Sequence, residues 1–368
     1  MPIARRFGVA LVLRRLWMAS AGRAETSPGE AHVLDTRLVA QETGSGSDAI
    51  NDTATRWNVW GTDLGHMFEH RGRIYMVFGD TLGPPGHPAL PSEDWRSNTI
   101  AISSDTNPHD GLVFDDMISD APGHAKELLS SAKVKHDELT VIPTSGTAVG
   151  SRIFLHYMSV REFDDQGVGT WTTNYSGLAY SDDDGNQWTK APAPTWGPSS
   201  NFSQAAMVNH DGDTYLFGIP AGRRGGVKLA RVPGGSMLDP SAYRYWNAAG
   251  WVASEADAPV MVAEPVGELS VRWNSHHGKW LMMYLNVDRD AIVLRTANAI
   301  TGPWEHEQLV ASGQDYPMLY LGSIAPKWND GPDIWFTMTM HRSYNVFWMR
   351  TTYSGCAPRC LRVGKSRR

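Results

Sequence analysis

Gly72-Arg-Ile-Tyr-Met-Val-Phe-Gly-Asp80 sets a turn glycine before a run of aromatic and apolar residues, the pattern of a buried strand entered through a tight turn. The phrase recurs as Gly150-Ser-Arg-Ile-Phe-Leu-His-Tyr157, Gly212-Asp-Thr-Tyr-Leu-Phe-Gly218, Gly278-Lys-Trp-Leu-Met-Met-Tyr284 and Gly331-Pro-Asp-Ile-Trp-Phe-Thr337. Successive glycines lie 78, 62, 66 and 53 residues apart, a spacing that suits a hairpin unit carrying loops of variable length. Each copy follows a strand-like run (60–68, 139–149, 204–208, 269–273, 319–328) and precedes another (99–103, 177–181, 227–232, 291–296, 345–351). Three or four antiparallel strands per unit, packed radially so that few edges stay open, predict an all-β, five-bladed β-propeller.

The fifth unit lacks a fourth strand after residue 351. His32-Val-Leu-Asp-Thr-Arg-Leu-Val-Ala40 alternates well enough to supply it, which predicts a ring closed by an N-terminal strand and one domain over 32–355. Residues 1–31 read as a leader or signal segment: two arginines, the apolar run Phe7 to Leu13, and small residues resembling a cleavage site, interrupted by Arg14 and Arg15. Residues 356–368 read as a basic tail carrying Cys356 and Cys360, which a disulfide would join in an oxidising compartment. The expectation is a secreted or envelope-associated protein.

The net charge of −6, with no long run of one sign, argues against nucleic acid as a partner, and no apolar stretch reaches the ~18 residues that a spanning helix needs. Two local signatures read as scaffold. Ser181-Asp-Asp-Asp-Gly-Asn-Gln-Trp188 fits the Asp-box pattern, a hairpin turn whose tryptophan packs between sheets, and Thr296-Ala-Asn-Ala-Ile-Thr-Gly-Pro-Trp304 reads as an outer hairpin.

In a propeller the first strand of each blade lines the channel. Aligning those strands gives Asp63-Leu64, Glu138-Leu139, Gln204-Ala205, Glu268-Leu269 and Tyr320-Leu321, three of five led by a carboxylate. Acids gathered at one mouth repel one another unless they serve a proton, a cation or a polyhydroxyl ligand. Asp80 ends the second strand of blade 1, and the hairpin lengths on either side of Gly72 bring it level with Asp63. Paired carboxyl groups among aromatics are what glycoside hydrolysis uses: one protonates the leaving oxygen, the other activates water or attacks the anomeric carbon. On this reading Asp63 is base or nucleophile, Asp80 or Glu268 the proton donor, and Glu138 a tuner of charge. Substrate contacts are expected from Asn51, Asp52, Trp60, Thr62, His136, Gln204, Tyr320, His341 and Arg342. For the two aspartates the competing explanation is turn capping through their own backbone. No cofactor and no metal is assigned; a channel calcium would lack an EF-hand-like loop.

Asn51-Asp-Thr-Ala-Thr-Arg-Trp-Asn-Val-Trp-Gly-Thr-Asp-Leu-Gly65 with Tyr75-Met-Val-Phe-Gly-Asp-Thr81 resembles a family catalogued as a domain of unknown function, frequent in actinobacteria and their phages. The likeness runs through Glu138-Leu-Thr-Val-Ile-Pro-Thr144 and Gly267-Glu-Leu-Ser-Val271, over roughly residues 32–352. The resemblance implies a five-bladed propeller with endo-D-arabinanase activity on mycobacterial arabinogalactan and lipoarabinomannan, and points to the Asp63 and Asp80 positions for catalysis. The expected partner is thus a polysaccharide. The rivals are a non-catalytic carbohydrate-binding propeller and, lower, a sialidase-like exo-glycosidase.

Overall fold

The computed structural model describes residues 31–89, 92–163 and 169–354; the leader apart from Ala31, and Cys356, Cys360 and the tail, lie outside them. Five antiparallel sheets form the predicted five-bladed propeller. Blade 1 is built on Gly61–His70, Arg73–Leu82, Thr99–Ser103 and Asp116–Met117, and blade 2 on Thr140–Val149, Arg152–Phe163, Trp171–Ser181 and Thr189–Trp196. Blade 3 runs Gln204–His210, Asp213–Ile219, Gly225–Pro233 and Arg244–Trp246, with Trp251–Val252 and Val262–Val266 added outside. Blade 4 comprises Leu269–Asn274, Lys279–Asn286, Ala291–Ala297 and Gln308–Ser312.

Blade 5 takes three strands from the C-terminal region, Leu319–Ile324, Asp333–Met340 and Asn345–Tyr353, and its outermost strand, Val33–Gln41, from the N-terminal region. Its register runs antiparallel from Val33↔Tyr353 to Gln41↔Phe347. The expected closure therefore holds, one residue beyond the predicted end, while the inner strand of blade 5 stops at Ile324 rather than reaching Trp328.

Directly after the closing strand, Glu42 is fully buried and ties blade 5 to blade 1. Its Oε1 accepts from the Leu112 backbone N–H at 3.0 Å and its Oε2 from Asn51 Nδ2 at 3.0 Å. Burial, the dominant cause, pushes its carboxyl up to about 8. The Thr43 hydroxyl donates to Asn345 Oδ1 at 2.9 Å and accepts from the Val346 N–H, a second tie within two residues.

Apolar clusters fill the blade-to-blade interfaces. Phe68, Val77 and Ile100 meet Val141 and Leu155 between blades 1 and 2, and Trp335 and Trp348 stack among Met67, Phe78 and Phe114 between blades 5 and 1. Nearer the axis the contacts turn polar: Ser145 Oγ donates to Ala205 O, Ser270 Oγ to Gly322 O and Thr337 Oγ1 to Gly65 O. Inner strands have one edge without a ladder partner, and these hydroxyls satisfy part of it. The Asp box is a turn held by its own atoms, with Ser181 Oγ donating to Asp183 Oδ1 and Trp188 Nε1 to Gly185 O, both at 2.8 Å.

Deleting residues 1–41 exposes the long edge Asn345–Tyr353 and removes the segment that positions Glu42. The expected outcome is loss of the cooperative thermal transition followed by circular dichroism; a truncated chain melting as sharply as the full one would show that blade 5 is complete with three strands.

Candidate active site

Every inner strand starts at the same end of the ring, so the first residues of those strands and the loops between second and third strands share one mouth. In blade 1 the register steps between Thr62 and Leu64 and again between Leu64 and His66, leaving Asp63 without a cross-strand partner. Leu64 and Gly65 adopt φ of 65° and 91°, the left-handed region. A leucine there costs ~1–2 kcal/mol, and its side chain is buried, so packing holds the bulge in place. Blade 5 repeats the device: pairing skips from Tyr320 to Ser323, with Leu321 at φ 61°.

The two bulges bring their polar side chains together, Tyr320 Oη donating to Asp63 Oδ2 at 2.9 Å. Asp63 Oδ1 is buried without a partner. It lies against the second strand at Gly79, where a Cβ would come within 2.4 Å of it, so any larger residue would displace the carboxyl. Across the hairpin, Asp80 Oδ1 accepts from Thr140 Oγ1 at 2.5 Å and from Trp95 Nε1 at 2.9 Å.

The aspartates differ in environment. Burial, then the Asp80 and Glu268 charges, push Asp63 up to about 8 against the Tyr320 hydrogen bond and the Arg223 charge. Burial raises Asp80 less, to about 6, because the Thr140 and Trp95 hydrogen bonds stabilise its anion. Both keep intermediate solvent exposure while protein surrounds them, the condition of groups on the floor of an open recess. Tyr320 and Tyr344 are buried beside them, their hydroxyls pushed well above the ordinary tyrosine value first by burial and next by the Asp63 charge.

Glu268 is 6% exposed and committed to Arg223: Nη2 lies 2.6 Å from Oε1, and Nε donates to Oε1 at 2.8 Å and Oε2 at 3.1 Å. Arg223 comes from the loop after the second strand of blade 3, its guanidinium 4.7 Å from the Tyr320 ring centroid and 5.6 Å from that of Trp171. A carboxylate gripped by a guanidinium fork has its lone pairs spent, which fits positioning better than proton transfer. Among the described residues no group of three or more His, Cys, Asp or Glu is gathered to hold a metal ion.

The remaining expected residues divide. Gln204 is buried at the mouth and donates to Pro220 O and Gly222 O, holding the loop that carries Arg223. Trp60, 40% exposed, precedes the inner strand of blade 1 at the rim. His341 and Arg342 are exposed on the turn after the second strand of blade 5; His341 packs edge-on against His87 and Tyr344 and is pushed down by burial, then by His87 and Arg223. Asp52 opens the short helix Thr53–Trp57 in a left-handed conformation without a side-chain cap bond.

Four placements correct the sequence reading. Asn51 is a strut: it is 1% exposed, with Nδ2 donating to Glu42 and Leu112 and Oδ1 accepting from Phe114 N–H, so burial keeps it from substrate and both its amide protons are spent inside the protein. Thr62 is buried against the Thr81 hydroxyl at 2.7 Å. His136 is on the surface, paired with Glu162 at 2.5 Å. Glu138 accepts from Ser159 Oγ and leans 3.9 Å from Lys190 on the outermost strand of its blade. The blade 2 residue that reaches the acids is Thr140, two positions on, because the strand begins there and not at Glu138.

Residues 48–350 match the family described as a domain of unknown function, DUF4185. Notoamide biosynthesis cluster protein J' of Aspergillus versicolor is 32% identical over 330 residues, 83% of this chain and 86% of its own length. Among solved structures, a candidate hydrolase from Bacteroides ovatus ATCC 8483 superposes with a TM-score of 0.58 at 12% identity, covering 86% of this chain and 90% of that one. A family 117 glycoside hydrolase from Zobellia galactanivorans superposes at 0.50 with 10% identity, covering 90% and 98%. At such identities these two likenesses concern the fold.

Arg223→Met strands the Glu268 carboxylate in a buried position. It is expected to cost about 3–5 kcal/mol in urea unfolding, and the double variant Arg223→Met/Glu268→Met to recover most of that loss. A single variant within ~0.5 kcal/mol of the parent would mean that the pair is solvated.

Proposed function

We propose, from the premise that the chain belongs to the DUF4185 family and folds as a five-bladed propeller, that it is a glycoside hydrolase acting at the Asp63–Asp80 mouth. The observation that carries this reading is the unlike environment of two carboxyl groups on one recess floor, Asp63 raised to about 8 and Asp80 to about 6. Carboxyl groups pushed apart in this way divide into acid and base.

At neutral pH Asp63 holds its proton and serves as general acid, while Asp80 is ionised and serves as base or nucleophile. This reverses the order first read from the sequence. The reason is local: Asp80 has two donors that favour its anion, whereas Asp63 Oδ1 has none. Glu268 positions Arg223, whose cation with the Tyr320 and Trp171 rings forms one wall for a sugar. The favoured substrate is an internal linkage of D-arabinan in mycobacterial arabinogalactan or lipoarabinomannan, reached by an exported protein; the family resemblance supports it.

A second reading is favoured by the name of the Aspergillus versicolor relative, which places that protein in a biosynthesis cluster. On it, the same acid and base act on a small glycoside instead of a polymer.

Purified arabinogalactan incubated with the protein is expected to release oligosaccharides. Asp63→Asn and Asp80→Asn, both folded, are expected to lose ~10²–10⁴ of the rate. Asp80 must be ionised, so kcat/KM rises through about 6; Asp63 must be protonated, so it falls through about 8, giving a bell centred near neutrality. Hydrolysis of a small aryl furanoside with the polymer untouched would select the second reading. Binding without release at any pH would reduce the mouth to a carbohydrate-binding site.

A further inference from the structure

Asp80 uses its two oxygens differently. Oδ1 takes both hydrogen bonds, from Thr140 Oγ1 at 2.5 Å and from Trp95 Nε1 at 2.9 Å, while no donor among the described residues reaches Oδ2. Nor is Oδ2 among the buried atoms that lack a partner, and the residue keeps intermediate exposure, so this oxygen opens on the recess. Two donors on one oxygen fix the rotation of a carboxyl group and decide which lone pairs stay free.

The indole donor is itself held. Trp95 opens the short strand Trp95–Arg96, which pairs with the end of the second strand of blade 1 through Leu82↔Trp95 and Thr81↔Arg96. Buried Arg96 anchors that strand, Nη2 donating to Asn58 O at 2.6 Å and Nη1 to Ala125 O at 3.0 Å. From the segment joining blades 1 and 2, Lys133 Nζ donates to Trp95 O at 2.5 Å and lies 4.9 Å from the ring centroid. Lys133 also donates to Glu127 Oε1 at 2.7 Å, and the same oxygen accepts from the Ser97 N–H at 2.7 Å. The indole is thus fixed at its backbone and on one face.

The charged and titratable groups around Asp80 come from three places. Asp63 faces it across the hairpin and Tyr344 from the blade 5 turn; Lys133 and Glu127 act from the segment between the blades, the lysine favouring the anion and the glutamate opposing it. Against burial, the main influence on Asp80, the Thr140 and Trp95 hydrogen bonds come ahead of either of those two charges.

We propose that Trp95 is a positioning residue for the reaction at this mouth: its indole N–H, with the Thr140 hydroxyl, occupies Asp80 Oδ1 and so leaves Oδ2 as the atom that meets the substrate. This rests on the glycosidase reading, in which Asp80 is base or nucleophile, and adds which oxygen acts and what aims it. As base, Oδ2 takes the proton of the attacking water. As nucleophile, it bonds to the anomeric carbon while the glycosidic C–O bond breaks and Asp63 protonates the leaving oxygen.

The hydrogen bond can be read on the intact parent chain by NMR, whatever its activity. The indole N–H resonance of Trp95, identified by its loss in Trp95→Phe, is expected to shift with pH through the Asp80 midpoint near 6 and to lose that shift in Asp80→Asn. Trp95→Phe keeps a ring but has no N–H. In it the Asp80 carboxyl carbon is expected to titrate about one pH unit higher, because a donor that favours the anion is gone, and the acid limb of kcat/KM to move up by the same amount. A merely structural tryptophan would lower the rate without moving that limb. In crystals of Asp63→Asn soaked with an arabino-oligosaccharide, the sugar is expected at Oδ2 with the indole still on Oδ1. An indole resonance indifferent to Asp80, an unmoved limb, or a sugar seated on Oδ1 in place of the indole would overturn the proposal. Arabinogalactan left intact by the parent, with the indole still following Asp80, would instead sink the glycosidase reading and leave the hold of Trp95 on the carboxyl standing.

Discussion

Ring closure is the constraint on which the rest depends. A blade sheet buries its two faces only against its neighbours, so a gap anywhere leaves two apolar faces wet. Pairing Val33–Gln41 with Asn345–Tyr353 fills the last place, and Glu42 and Thr43 then carry the chain from blade 5 to blade 1 through buried hydrogen bonds. Closure fixes direction as well as stability. With five inner strands starting at one mouth, residues far apart in sequence are forced together there, Asp63 and Tyr320 being 257 positions apart.

Convergence alone would aim the side chains at adjacent blades, and the bulges change that. In blades 1 and 5 the residue that enters the mouth is followed by a leucine in the left-handed region, so the ladder breaks where the side chain must turn. Gly79 then leaves room for the Asp63 carboxyl against the second strand. This is why the Phe78-Gly79-Asp80-Thr81 phrase goes with the Gly61-Thr62-Asp63-Leu64-Gly65 phrase: the first makes space for the side chain that the second delivers.

The fold was legible because turn glycines and apolar alternation recur at every blade, and the closing strand because one blade was short of it. The two aspartates were legible because they sit at matched ends of one hairpin. Arg223 was not: in Gly222-Arg-Arg-Gly-Gly226 it reads as a solvated loop, and its role depends on a Glu268 contact 45 residues away. Glu138 misled because aligning each strand on a following apolar residue takes the strand to begin there, whereas in blade 2 it begins at Thr140, which holds the place that reaches the acids. Asn51 misled because a motif residue can be kept for the scaffold, as its four buried hydrogen bonds show.

The Arg223–Glu268 pair also explains how a carboxyl near a guanidinium can have a raised pKa. A bare guanidinium about 5 Å from any carboxylate would favour the anion by about 3 kcal/mol at an effective dielectric of ~20, or about 2 pKa units. At Asp63 the Arg223 charge is instead the smallest of the influences on a carboxyl raised to about 8. Glu268 takes up that charge at 2.6 Å and adds its own repulsion, so the Glu268 and Arg223 charges offset one another at Asp63, and burial, then the Asp80 charge, raises it. The mouth thus keeps a cation available for shape and stacking while its field on Asp63 is largely switched off. A carboxyl that stays protonated beside an arginine is the arrangement a proton donor requires, and it follows here from a neighbour that is not itself asked to move a proton.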